Sequence, residues 1–163
     1  MSVMIERAKR EDVSACIDIF FTVWGSTHEG YIAQIGEELH DVFMGEWRET
    51  DSAQFEQAML TAIEENRGYV AKVDGVVAGF IYYRVANDTG IATIGRNAVD
   101  PSYRGRGIGN MLYGKVMDAM REEGITYVTV LTGCDDAHAA ARRAYEKAGF
   151  TKSIKSIRYY QKL

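Results

Sequence analysis

The chain has 163 residues, of which 47% are hydrophobic and 26% are charged, and its formal net charge is −4. This length and composition fit one domain, residues 1–163, with a core that needs no disulfides, and the negative charge argues against a nucleic-acid partner. We find no apolar leader and no run near the roughly 18 apolar residues of a membrane span, so we expect a cytoplasmic protein with no membrane contact. Cys16 and Cys134 are isolated and indicate neither a disulfide framework nor a metal site.

The first two thirds of the chain predict a strand, three helices and a meander of three strands. The strand is expected at 3–9, and apolar residues at helical spacing predict helices at 11–25, 30–47 and 51–66. Residues 68–87 form two β-rich runs on either side of Asp74-Gly75, a pair typical of tight hairpin turns. A further strand is expected at 91–100, where Pro101 stops it.

The last third predicts a helix, a strand, a helix and two closing strands. Apolar residues recur every four positions from Ile108 to Met120, which predicts a helix over 108–123. A buried strand is expected at 126–132 and a helix at 135–149, capped by Asp135 or Asp136, and two strands are expected within 150–163. The order predicts an α/β fold, a mixed sheet with helices on both faces.

The run "VDPSYRGRGIGNML", residues 99–112, places three glycines where a helix should begin. Each glycine destabilises a helix by roughly 0.5–1 kcal/mol relative to alanine, so another requirement must keep them there. The first N–H groups of a helix have no intrahelical partner and point along the positive end of its dipole. Glycines let a phosphate approach those groups, and Arg104 and Arg106 would add charged hydrogen bonds. The run therefore predicts a phosphate site.

The spacing of the run decides which phosphate ligand it suits. A Walker A loop fails because Asn110 follows Gly109, and a Rossmann fingerprint fails because its third glycine position falls on Asn110. The pattern R-x-x-G-x-G, Arg104 through Gly107 to Gly109, does fit, and "ARRAYEKAGF" at 141–150 follows after a helix and a strand. In these two motifs the chain resembles the GCN5-related N-acetyltransferase (GNAT) family.

The resemblance implies a GNAT-type mixed, mostly antiparallel sheet and acetyl-CoA as cosubstrate. It implies that the backbone of Ala98 and Val99 binds the pantetheine arm and that an N–H near Val99 faces the thioester oxygen. It assigns Tyr145 as the proton donor to the leaving thiolate, and His138, where the family usually has Asn, as a contact to CoA. The residues assigned to the pyrophosphate are Arg104, Gly105, Arg106, Gly107, Ile108, Gly109 and Asn110. Arg142 and Arg143 suit either the 3′-phosphate of CoA or a solvated helix face.

No general base can be singled out in the sequence. An alkyl amine is protonated at pH 7, so some group must take its proton, a task of roughly 4.6 kcal/mol. The strand before the glycine run offers Thr93, Gly95, Asn97 and Val99 on one face, and none ionises near neutrality. The remaining candidates are His28, Glu29, Tyr31 and Asp41, with ordered water as an equal alternative.

The acceptor is predicted only in its charge. Residues 25–66 contain ten acidic residues and one basic residue, so this segment carries −9 and the rest of the chain +5. Such a segment favours a cationic amine, such as a polyamine, an amino-sugar or a basic peptide, although solvated helix faces explain it as well. A non-catalytic module that binds acyl-CoA is the alternative function. The closing strand "IRYYQKL" suggests a homodimer through an exposed edge.

Overall fold

The structure of the protein is a computed structural model that describes residues 2–163. One five-stranded sheet runs through it in the order β1-β2-β3-β4-β5. The first four strands are antiparallel and β5 lies parallel to β4, which confirms the mixed, mostly antiparallel sheet. The strands are β1 Val3–Arg7, β2 Gly68–Val73, β3 Val76–Val85, β4 Ala92–Val99 and β5 Val128–Val130.

Helices cover both faces of the sheet, as the sequence predicts. They are α1 Val13–Ile35, α2 Glu37–Met44, α3 Trp47–Glu64, α4 Ile108–Glu122 and α5 Ala139–Lys147. Phe20 of α1 and Phe55 of α3 pack on one face, and Leu112 and Val116 of α4 and Tyr145 of α5 pack on the other. Among the described residues, no helix has both the length and the apolarity that a membrane crossing requires.

The predicted division of the first helical region is wrong. Instead of helices at 11–25 and 30–47, one helix continues from Val13 to Ile35. Gly25 and Gly30 stay within it, and an added Cβ would meet no atom within 4 Å at either position. The chain turns instead at Gly36, where φ is 83° and ψ is 157°, a region essentially confined to glycine. A single helix therefore reaches farther along the sheet than two short ones would.

Strand β4 carries a bulge at the position that matters for the site. Ile81 of β3 lies opposite Asn97, but Tyr83 lies opposite Ile94, so Tyr82 faces both Gly95 and Arg96. A Cβ on Gly95 would lie 2.1 Å from the ring of Tyr82, so only glycine fits there. The extra residue bends β4 and presents the Arg96 side chain at the cleft described below.

The predicted strand at 126–132 is shorter than expected, and this creates a gap in the sheet. Ala92–Ile94 of β4 pair with Val128–Val130 of β5, and no pair follows in the described sheet. Beyond Ile94 and Val130 the two strands are no longer paired. A wedge therefore opens between the carboxyl ends of two neighbouring strands.

The two closing strands predicted within 150–163 are wrong, since residues 151–163 contain no strand. Ile154 and Ile157 are three residues apart, so a strand would place them on opposite faces and neither face would be apolar. Both are exposed, while Tyr160 packs on Phe43 of α2. The exposed edge strand that suggested a homodimer is therefore not formed.

Candidate active site

A cleft of about 1320 Å³ opens at the wedge between β4 and β5. The glycine run, the β4 bulge, the start of α5, the second half of α1 and the C-terminal segment line it. It brings together most of the residues predicted to bind CoA: Ala98, Val99, Arg104, Gly105, Gly107, Ile108, Gly109, His138 and Tyr145. Arg106 and Asn110 are not among the lining residues, and Arg106 instead donates to the Ser102 carbonyl at 3.2 Å.

The glycine run leaves the start of α4 bare. Gly105 and Gly107 have φ values of 76° and 77°, the left-handed region that favours glycine. Gly107 is the N-cap of α4 and no side chain caps the helix there, so the first-turn N–H groups at 108–110 have no partner within the helix. A Cβ added at Gly105, Gly107 or Gly109 would meet no atom within 4 Å. The loop therefore encloses open space in front of an uncapped helix.

This cradle fits a pyrophosphate. The helix dipole and the bare N–H groups favour an anion, and the first turn of α4 contains no acidic residue that would oppose one. Arg104 is exposed beside the loop. The nearest carboxylate in sequence, Asp100, is engaged by the backbone N–H of Ser102 at 2.8 Å. The glycines therefore leave the space in front of the first turn of α4 free of side chains.

Backbone groups of β4 face the wedge at Val99. The N–H of Asp100 donates to the Ala78 carbonyl of β3 at 2.9 Å, and backbone groups alternate sides along a strand. The groups of Ala98 therefore also face β3, whereas those of Val99 face the gap. Of the two residues predicted to bind the pantetheine arm, Val99 is the one whose backbone N–H and C=O face the gap.

Tyr145 is buried, with 9% of its surface exposed, and its hydroxyl belongs to a short chain of hydrogen bonds. The Tyr113 hydroxyl donates to Oδ1 of Asn97 at 2.7 Å and also bonds with the Tyr145 hydroxyl. Since Tyr113 has one proton to donate, Tyr145 is the donor in their mutual bond. Burial raises the pKa of Tyr113 far above its usual value, so that phenol stays protonated. Tyr145 therefore lines the cleft as one member of a hydrogen-bonded pair of phenols.

His138 is held by a carboxylate. Its Nδ1 lies 2.9 Å from both oxygens of Asp135, and the same carboxylate accepts from the His138 backbone N–H at 3.2 Å. Burial raises the pKa of the Asp135 carboxyl, but its interactions with His138 and with backbone N–H groups together bring that pKa below its ordinary value. Arg142 donates to the Gly133 and Asp135 carbonyls at 2.8 and 2.6 Å, so its guanidinium braces this loop.

Three of the four candidate bases, His28, Tyr31 and Asp41, line a cavity beside the main cleft, and the ring centroids of His28 and Tyr31 are 5.5 Å apart. His28 is buried against Trp47, with ring centroids 4.0 Å apart, and burial lowers its pKa to about 4. Glu29 is exposed, and Asp41 lines a separate cavity. Only Tyr31 lines the main cleft, where its ring centroid lies 6.4 Å from that of His138. Among the described residues, no group of three or more His, Cys, Asp or Glu side chains could hold a metal ion.

A second cavity of about 590 Å³ adjoins the first and shares Trp24, Tyr31 and Met44 with it. Three of the ten acidic residues of 25–66 line this second cavity: Asp41, Glu46 and Asp51. None of the ten lines the main cleft. The main cleft is lined instead by Arg84, Arg96, Arg104 and Arg158.

Several residues at the site were not singled out in the sequence. Arg96 reaches the cleft through the bulge and bonds Asp51 at 3.3 Å, and Gly95 within a strand was the available signal. Tyr113 joins the site through Tyr145, which helical spacing alone does not reveal. Asp135 was identified only as a helix cap, although its position three residues before His138 allows a second bond.

Comparison with known proteins identifies the family. The model of the family described as "Acetyltransferase (GNAT) family" matches residues 32–150. The N-acetylaspartate synthetase of Xenopus tropicalis is 32% identical over 83 residues, which are 50% of this chain and 30% of that protein. The chain thus spans less than a third of that relative's length.

Two solved structures share the fold. The PaiA N-acetyltransferase of Thermoplasma acidophilum, in complex with coenzyme A, superimposes with a TM-score of 0.76 at 21% identity and covers 96% of this chain and 94% of its own. An aminoglycoside acetyltransferase from an uncultured soil metagenomic sample, in complex with sisomicin, superimposes with a TM-score of 0.63 at 19% identity. The match covers 99% of this chain and 96% of that protein.

The sheet, the wedge and the helices on both faces define a GNAT-like α/β fold. The chain belongs to the acetyltransferase (GNAT) family, whose model matches most of its length. This confirms the resemblance found in the glycine run and in the helix that carries Tyr145.

Proposed function

We propose that this protein, as a single domain over residues 1–163, transfers the acetyl group of acetyl-CoA to a primary amine by direct attack on the thioester. One observation carries the proposal: the uncapped start of α4, the end of β4 and the buried phenol of Tyr145 all line one cleft. A phosphate site, a channel for an extended arm and a proton donor would thus share that cleft.

The donor would bind from the loop inward. The N–H groups of Ile108, Gly109 and Asn110 would donate to oxygens of the pyrophosphate, with Arg104 and Arg106 at its edge. The pantetheine arm lies in the wedge against Ala98 and Val99. The N–H of Val99 then faces the thioester oxygen, where negative charge develops during attack. His138 stands beside the same channel.

The transfer would proceed in two bond changes. The neutral amine forms a bond to the thioester carbon while the carbonyl electron pair moves to oxygen, where the N–H of Val99 stabilises it. Return of that pair breaks the carbon–sulfur bond, and Tyr145 donates its proton to the departing sulfur. The resulting tyrosinate regains a proton from the nitrogen of the new amide. The products are the acetylated amine and CoA with a free thiol.

The acceptor is proposed to carry a second positive charge. Asp41, Glu46 and Asp51 share the second cavity with the aromatic rings of Trp24 and Trp47, and both kinds of group attract ammonium. The structurally similar aminoglycoside acetyltransferase bound to sisomicin supports an amine acceptor of this type. Both cysteines are free, as expected in a reducing compartment, so we place this activity in the cytoplasm.

Thiol release from acetyl-CoA tests the activity and the charge preference together. We expect a higher kcat/KM for 1,4-diaminobutane than for 4-aminobutanoate, and a difference that narrows as salt rises. The double variant Asp41→Asn, Glu46→Gln should lose this preference. Glu37→Gln, Glu56→Gln removes the same charge outside both cavities and should retain it. Equal rates for the two amines, or faster reaction of the anionic one, would contradict a cationic acceptor.

Tyr145→Phe tests the proton donor. It keeps the ring that packs on Tyr113 and removes the hydroxyl, so kcat should fall by about 10²-fold or more. The Kd for CoA should stay within about twofold of wild type, because no phosphate contact is changed. Unchanged turnover with tight CoA binding would refute the role. If no amine gives thiol release in wild type although CoA binds, the chain is a non-catalytic CoA-binding module.

A further inference from the structure

The geometry points to His138 as the base that takes the proton from the acceptor ammonium, with Asp135 as the residue that positions it. This inference rests on the proposed function, because it supplies the proton acceptor that an amine needs before attack. It goes beyond the contact to CoA that the sequence motif implies for this position.

The hydrogen bonds of His138 define its tautomer. Asp135 is a carboxylate that can only accept, so the Nδ1 that lies 2.9 Å from its two oxygens carries the proton of the neutral imidazole. The lone pair is then on Nε2, to which no hydrogen bond is formed within residues 2–163. The side chain is 21% exposed and lines the cleft. The ring therefore presents a basic nitrogen to bound molecules.

The loop after β5 is shaped around this pair. A Cβ on Gly133 would lie 2.6 Å from both Oδ2 of Asp135 and Nδ1 of His138, so the bonded side chains occupy the place of a side chain at 133. Arg142 holds the carbonyls of Gly133 and Asp135 from the far side. The pair is thus fixed from two directions, as a residue acting in proton transfer must be.

The group closest to the His138 ring is a negatively charged carboxylate. Asp135 faces the ring from the loop, and Tyr31 faces it from α1. Burial, with the charge of Asp135 as the next contribution, raises the pKa of Tyr31, so that phenol stays neutral. Other titratable or charged groups near the pair, on the loop, α5 and the C-terminal segment, are Cys134, Asp136, Arg142, Arg158 and Tyr160. Arg142 points to carbonyls of the loop rather than to the ring.

His138 and Tyr145 lie on the same side of α5. They are seven residues apart, which is two helical turns or about 10 Å along the axis, and both line the cleft. A base and an acid at this spacing can serve the incoming amine and the leaving thiolate of one reaction.

The step balances without any further reagent. The ammonium R–NH₃⁺ transfers one proton to Nε2, which gives R–NH₂ and an imidazolium whose charge faces the carboxylate of Asp135. The neutral amine then attacks, and Tyr145 protonates the sulfur as described above. The imidazolium releases its proton to water at the cleft. One proton is thus released for each acetyl group transferred.

His138→Asn separates the two roles of this residue. Asparagine retains hydrogen bonding toward CoA, and is the usual residue of the family here, but cannot accept a proton. We expect a Kd for CoA within about twofold of wild type, kcat/KM for 1,4-diaminobutane about 10²-fold lower or more at pH 7, and loss of the acidic limb of the pH profile. Wild-type activity with an unchanged pH profile would show that His138 only contacts CoA.

Asp135→Asn tests the positioning residue and Asp136→Asn is its control. We expect the acidic limb of the profile to move to lower pH when the carboxylate beside His138 is removed, because the imidazolium loses its partner. Asp136 is exposed and makes no bond to the ring, so its variant should keep the wild-type profile. Equal profiles for the two variants would overturn the role of Asp135.

Nitrogen NMR of the complex with CoA gives a measurement that needs no acceptor. We expect Nε2 of neutral His138 to be unprotonated in wild type, and this preference for the Nδ1–H tautomer to be lost in Asp135→Asn but kept in Asp136→Asn. A protonated Nε2 bound to CoA in an active enzyme overturns the inference and leaves the proposed function standing. A wild-type enzyme that releases no thiol with any amine overturns both.

Discussion

Gly109→Ala should stabilise the free protein and weaken its hold on CoA. Gly109 lies in the first turn of α4, its φ is not in the left-handed region, and an added Cβ would meet no atom within 4 Å. Alanine is therefore accommodated in the free chain. The methyl group would instead occupy the space in which we propose that the pyrophosphate approaches the helix.

The two effects differ in sign and can be sized separately. Glycine to alanine in a helix is worth up to about 1 kcal/mol, which for a chain of this length raises Tm by roughly 2–4 °C. A hydrogen bond to a charged group contributes about 1.5–3 kcal/mol, so loss of one phosphate bond should weaken CoA binding roughly 10- to 100-fold. Gly114, in the same helix and exposed, offers a matched control because a Cβ there also meets open space.

Thermal unfolding without ligand and calorimetric titration with CoA measure the two quantities. Gly109→Ala and Gly114→Ala should both melt above wild type, and only Gly109→Ala should bind CoA more weakly. Wild-type affinity in Gly109→Ala would refute the assignment of the glycine run to phosphate. A lower Tm in both variants would refute the conclusion that glycine at these positions lowers the stability of α4.

Three other positions test separate parts of the molecule. Gly36→Ala, at the turn between α1 and α2, should lower the free energy of unfolding in urea by about 1–3 kcal/mol, because alanine is strained at this φ and ψ. A loss below about 0.3 kcal/mol would show that alanine is not strained there. Lys72→Met should lower the free energy of unfolding by about 3 kcal/mol, because it leaves the buried carboxylate of Asp12 unpaired. In wild type, the hydrogen bond of Lys72 to Asp12 and then that to Glu6 raise the pKa of Lys72. The wild-type protein should therefore keep this stabilisation until the pH rises above about 10.4. His28 is neutral when folded because burial lowers its pKa to about 4, so the unfolded chain binds more protons between pH 4 and 6.5. Unfolding free energy should therefore fall as pH falls through that window, and His28→Asn should flatten the slope; an equal slope in the variant would exclude His28 as its source.

The parts of the fold that local chemistry determines were predictable. Asp74 and Gly75 both have positive φ, as the hairpin turn requires, and α4 begins at Ile108 as its apolar spacing predicts. The break in the first helical region was not predictable in the same way. Four glycines lie there, at 25, 30, 36 and 45, and only packing of the continuous helix against the sheet decides that Gly36 is the one that ends α1.

The donor half of the site was predictable because its signal is local. The glycines, the helix they precede and the tyrosine of α5 each belong to one short segment of sequence. The bulge at Gly95 and Arg96 depends instead on pairing with Tyr82, which lies on another strand. Likewise, the net charge of 25–66 can be counted in the sequence, but the direction of each carboxylate is set by how α1, α2 and α3 pack.

The proposed base is an exception, because its geometry is local and yet Asp135 was predicted only as a helix cap. An aspartate that caps a helical turn accepts from the backbone N–H three residues later, and that places its carboxylate beside the side chain of the same residue. When that residue is histidine, one carboxylate caps the turn and fixes the imidazole tautomer. Since Tyr145 follows seven residues after His138, the pattern D-x-x-H-x-x-x-x-x-x-Y carries both proposed proton-transfer groups on one turn and one helix. Their spacing then depends on helix geometry rather than on the packing of distant elements, so the same pattern in another chain of this fold should mark the same pair.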